Sequence, residues 1–186
     1  MLRIALRTGG FGALVALVVA AGCSDPAPAP EQKEARKFFD DMAAIARDIH
    51  AASAETRSLT EQVYNSAING QKLDKAMIEK AIQTQLTKLQ KVRSRAEIAK
   101  SPAGASGEAL QLAMIRGLEG EERRLRVGIH EWLDVLADDS LSLSEKKEKA
   151  KKIGDRLQAE RNEDETAIKK ARETFAKDFH ITKQQN

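Results

Sequence analysis

Four long apolar stripes with helical spacing, separated by short breakers, constrain this chain more than any other feature. Phe38, Met42, Ile45, Ile49, Ala52, Thr56, Leu59 and Val63 follow one another at alternating steps of four and three, the seam of a helix packed along its whole length. Gly70 stops this run, and Leu73-Asp74 opens the next with a capping Asp and a hydrophobic staple to Ile78. Ile78, Ile82, Gln85, Leu89, Val92, Ala96 and Ala99 then share one face, and Ser101 to Gly107 reads as a loop. The third stripe is Met114, Leu118, Glu121, Leu125, Trp132 and Leu136, interrupted by Gly117, Gly120 and Gly128. Each glycine costs about 1 kcal/mol relative to Ala inside a helix, so the three mark close approach to a neighbour. After the Asp138–Leu141 turn, Ser142-Leu143-Ser144-Glu145 is a capping box. It starts a fourth helix with Ala150, Ile153, Leu157, Ile168, Ala171, Phe175 and Phe179 inward.

The predicted helices run over about 31–69, 74–100, 107–137 and 142–180. All four prolines, Pro26, Pro28, Pro30 and Pro102, lie outside the periodic runs, and only 4% of residues are aromatic. The expected fold is therefore all-α: four long helices in an up-down-up-down antiparallel bundle with coiled-coil-like packing over residues 31–182, and a frayed tail at 183–186. Folding the chain at its three turns places Phe38 beside Phe175, with Phe39 and Phe179 within a turn. The four phenylalanines after Phe11 should thus gather at the end that carries both termini.

The same register puts Thr56, Gln85, Glu121 and Glu160 at core-type positions of one layer halfway along the bundle, with Asp164 about a turn away. Buried carboxylates must pair or stay neutral, so this layer calls for Arg124 and Arg161 at its flanks, or for a ligand. Several readings are open: a polar layer that sets helix register, surface charge displaced by the drift of a straight helix against the seam, a hinge, or an oxygen-lined pocket for a cation or polar small molecule.

Enzyme chemistry finds little support. There is no Glu-x-x-His pair of the ferritin-like kind, and His50, His130 and His180 fall at separate levels of the bundle. There is no Gly-rich phosphate loop and no arguable Ser-His-Asp set. No catalytic residue, metal ligand or cofactor is expected. With 31 Lys+Arg against 28 Asp+Glu, the chain lacks the basic surplus a nucleic-acid reader needs. Its most concentrated basic stretch opens helix four: Lys146, Lys147, Lys149, Lys151 and Lys152. These lie at the tip far from both termini, where they suit an anionic protein surface or the carboxylates of a cell wall. A further reading is a coiled-coil oligomer, with part of the seam pairing between chains.

The N-terminal segment supplies an address. Arg3 and Arg7 precede an apolar run from Phe11 to Ala21, the form of a secretory signal and too short to span a bilayer. Ala20-Ala21-Gly22-Cys23 resembles the lipobox of bacterial lipoproteins, with a departure at Ala20, where leucine is usual. The resemblance implies removal of residues 1–22, lipid modification of Cys23, and a bilayer anchor facing the periplasm. Ser24 after the cysteine favours the outer membrane over the inner. The alternative is an ordinary signal peptide cut near Ala21. Residues 23–30 then form an extended Pro/Ala tether of about 20 Å at ~3.1 Å per residue. Together these features lead to an expected envelope lipoprotein with a non-enzymatic binding, adaptor or structural role. A small-ligand or cation binder at the Glu121/Glu160 layer stands as the alternative.

Overall fold

The computed structural model describes residues 30–181; the expected signal segment, Cys23, the expected tether up to Ala29, and residues 182–186 with the expected frayed tail lie outside the described residues. The chain forms α1 (Pro30–Ile68), α2 (Lys75–Ile98), α3 (Ala105–Arg123), a π-helical turn (Arg124–Gly128), α4 (Ile129–Ala137) and α5 (Leu143–Asp178). Because the π turn carries α3 directly into α4, the architecture is four helical rods, and it is the expected all-α antiparallel bundle.

Each boundary has a local cause. Gly70, at φ +70°, ends α1 in a Schellman motif: its N–H donates to Ala67 O and the Gln71 N–H to Ser66 O. Asp74 caps α2 by accepting from the Met77 N–H at 3.0 Å. In the capping box of α5, the Glu145 N–H donates to Ser142 Oγ and the Ser142 N–H to Glu145 Oε2. A second Schellman turn closes α5 with His180 at φ +52° in the left-handed position. There the Ile181 N–H reaches Ala176 O at 2.8 Å, and Ile181 is buried. α3 begins at Ala105, two residues before its expected start, with Gly104 at φ +130° as the break.

The packing register is the anticipated one. Phe175 is fully buried, with ring centroids 5.4 Å from Phe38, 6.1 Å from Phe39 and 4.6 Å from Phe179. Arg172 lies over the Phe39 face at 5.3 Å. Along α1 and α2, Asp48 meets Arg95 and Glu55 meets Lys88, while Arg93 and Glu79 of α2 reach Glu119 and His130. Exposed pairs of this kind add only ~0–1 kcal/mol each; their use here is to report alignment.

The glycines of the third rod behave as expected and shape the whole bundle. A Cβ at Gly117 would lie 2.7 Å from Ile168 Cδ1, one at Gly120 2.3 Å from Asp164 Oδ2, and one at Gly128 2.4 Å from Leu157 Cδ2. All three contacts are with α5, so α5 lies close on α3 and α4. α5 in turn buries only Ala150, Ile153, Ile168 and Phe175 over its 36 residues. With so few large apolar side chains turned inward, it has little with which to fill the space towards α1. That seam is open.

Candidate functional site

The mid-bundle layer is built around a buried salt-bridge network. Glu121 is 1% exposed and Arg124 4%. The Arg124 guanidinium donates to Glu121 Oε2 from Nε and Nη2, each at 2.9 Å, and to Asp164 Oδ2 from Nη1 at 2.8 Å. Arg161 Nη2 donates to the other Glu121 oxygen at 3.2 Å. Two guanidiniums and two carboxylates thus cancel in charge inside the bundle. Burial opposes ionisation of Glu121, but the fields of Arg161 and Arg124 and their hydrogen bonds outweigh it and hold the carboxyl below its ordinary value. Burial likewise opposes the charge on Arg124, and Asp164 and Glu121 overcome it, raising the guanidinium further.

The other expected members of the layer divide. Thr56 and Gln85 are buried, but Thr56 Oγ1 donates within its own helix to Ala52 O, and Gln85 Nε2 donates to Glu55. Glu160 does not belong to the layer: its side chain is 35% exposed and faces Arg156 at 3.8 Å. The expected register was one residue off on α5. Counting back from Phe175 and Ile168 in sevens reaches Arg161, and from Ala171 it reaches Asp164, Leu157 and Ala150. Arg161 and Asp164 therefore stand on the seam, and that count was available in the sequence. Arg124 goes deeper than a flank position because the third rod is packed on two sides. Its buried residues come as adjacent pairs at 120–121, 124–125 and 128–129. The π turn, with the Ile129 N–H donating to Arg124 O, lies at this level, in keeping with the habit of π bulges to occur at special sites.

The open α1/α5 seam forms a groove of about 690 Å³ on the tip side of this network. Tyr64, Ile129, Trp132 and Leu157 supply its apolar wall, with Tyr64 and Trp132 in contact at 5.9 Å between centroids. Arg57 and Arg161 stand towards the inner end and Lys147 towards the tip. A smaller hollow of about 350 Å³ follows the same seam on the other side of the network, beside His50 and Arg172.

The basic tip is less free than its composition suggests. Lys151 pairs with Asp155 at 2.6 Å, Lys152 with Glu148 at 2.7 Å, and Lys146 approaches Asp139 at 3.9 Å. Lys149 lies near Asp138 and Glu145 and helps to lower their carboxyl pKa values, a smaller effect than the Ser140 and Ser142 hydrogen bonds. Lys147 alone of the five has no ionic partner among the described residues. The histidines are separate: His130 pairs with Glu79 at 2.9 Å and His50 lies 3.8 Å from Glu165. Among the described residues no group of three or more His, Cys, Asp or Glu could hold a metal, and no helix is long and apolar enough to cross a membrane.

No family model matches this chain, and no curated protein or solved structure is similar to it at a significant level. The class that the fold and site define is a four-rod helical bundle with an internal salt-bridge layer and an open lateral groove.

Proposed function

We propose that this chain is a lipoprotein of the bacterial cell envelope, anchored through Cys23, preferentially in the outer membrane, whose bundle serves in the periplasm as a non-enzymatic binding or adaptor module. The observation that carries the reading is positional. The phenylalanine cluster ties the start of α1 to the end of α5, so the tether joins the bundle at that end. The α4–α5 turn stands at the other, about 54 Å away by the rise of α5. The groove and Lys147 fall in this far half, the part of a tethered rod that reaches outward. Forces from the protein's own leaflet are screened beyond ~8 Å, which leaves the tip available to a partner rather than to its own headgroups.

In-cell photo-crosslinking tests this. A probe at Lys147 should yield a discrete adduct that a probe at Lys169, on the same helix nearer the phenylalanine end, does not. Cys23→Ser should move the chain from the membrane to the soluble fraction. An unmoved Cys23→Ser protein defeats the anchor, and a silent Lys147 probe defeats the adaptor role of the tip.

A further inference from the structure

We infer that the α1/α5 groove is a binding site for an amphiphile with one long acyl chain and a carboxylate headgroup, the chemistry of a fatty acid. The inference rests on the groove and does not depend on the Cys23 anchor. Its first support is size and shape. About 690 Å³ lies within the ~300–1,000 Å³ of small-molecule pockets. The α5 wall runs from Lys147 to Arg161, about 21 Å by helical rise, the length of an extended chain of some sixteen carbons. Tyr64, Ile129, Trp132 and Leu157 give that chain an apolar surface to lie on.

Gly154 is the second support. The glycines of the third rod are explained by the α5 side chains they admit, whereas a Cβ at Gly154 would meet no atom within 4 Å. Glycine is disfavoured relative to Ala inside a helix, and no packing contact accounts for this one. It lines the groove, where the missing side chain leaves the space clear.

The third support is charge. At the inner end Arg161 has its Nη groups engaged by Glu121 and Gln158, while its Nε–H is buried without a partner. Its side chain is 12% exposed. An anion at this end would meet the exposed part of the Arg161 side chain. Arg57, on the facing α1 wall of the groove, has no ionic partner among the described residues, and neither does Lys147 at the outer end. Of the two carboxylates on the rim, Glu148 is taken by Lys152. Glu61 is left alone against these cations. A carboxylate received by Arg57 and Arg161, with its chain running towards Trp132 and the tip, uses the end of the groove where two cations rather than one line it.

Trp132 is the only tryptophan in the chain and reports on the groove directly. The full 186-residue chain carrying Cys23→Ser would be titrated, below micelle-forming concentrations, with stearic acid bearing a nitroxide on its chain. Saturable quenching of Trp132 is expected. It should weaken roughly tenfold or more with the methyl ester or with Arg57→Glu, as loss of a charge-assisted hydrogen bond implies. Gly154→Leu, which fills the groove without touching the fold, should abolish it while the thermal transition is kept. The absence of saturable quenching, as when the groove takes a partner's helix instead, overturns the proposal, as does equal quenching in Gly154→Leu. Equal affinity for acid and ester overturns the assignment of the headgroup.

Discussion

Replacing Arg124 with methionine tests the network at its centre. The substitution keeps the length and apolar stem of the side chain and removes its three polar contacts to Glu121 and Asp164. Asp164, 27% exposed, can turn to water. Glu121, 1% exposed, cannot, and keeps only Arg161 at 3.2 Å. Breaking a buried pair from one side typically costs about 3–5 kcal/mol. Glu121 has one way to limit that loss, which is to take up a proton. From an ordinary value of 4.5, protonation at pH 7 costs about 3.4 kcal/mol at ~1.36 kcal/mol per pH unit. The electrostatic loss is therefore about 3 kcal/mol at pH 7 and below about 1 kcal/mol at pH 5. The signs are opposite in the two proteins. In the wild type the lowered Glu121 stabilises fully above about 4.5, and this is lost as pH falls through its folded value. In the variant the raised Glu121 destabilises at neutral pH, and the penalty fades as pH falls towards 4.5. Urea unfolding followed by circular dichroism at pH 7 and pH 5 reads both. A difference under about 1 kcal/mol at pH 7, or an equal one at both pH values, refutes the assignment of Arg124 as the compensating charge.

Two helical glycines should respond to alanine in opposite directions. Gly154→Ala, with open space around it, should stabilise by up to about 1 kcal/mol, while Gly120→Ala should destabilise by roughly 1–3 kcal/mol, because its Cβ pushes Asp164 off Arg124; thermal melts of the pair decide. Phe175→Ala, at the fully buried centre of the aromatic cluster, should lose about 3–5 kcal/mol in urea unfolding, and a loss below 1 kcal/mol would mean that the termini are not tied together there.

Much of the fold was legible because it rests on local signals that agree with one another. The 4-3 steps from Phe38 to Val63, the Asp74 cap, the Ser142 capping box and the Gly70 stop each specify an element with little help from its neighbours. Turn positions then set the register, and the meeting of Phe38, Phe39, Phe175 and Phe179 followed. Of the site, Glu121 was legible as a carboxylate on a core stripe, and Arg124 and Arg161 as its required partners. Glu160 was misplaced because the seam was carried one residue out of phase across the charged middle of α5. No large apolar residue between Leu157 and Ile168 corrects the phase there.

Local chemistry alone thus determined the helices, their order and the need for charge compensation in the middle of the bundle. Two things were decided only in three dimensions. The π turn at Arg124–Gly128 and the burial of Arg124 depend on α3 being packed on two sides at once. The groove depends on how α5 divides its surface between two neighbours: the glycines of the third rod let it come close on that side, and its few inward apolar side chains leave the α1 side unfilled. A groove is the space left over when every helix has found its place, so no single stripe of residues encodes it.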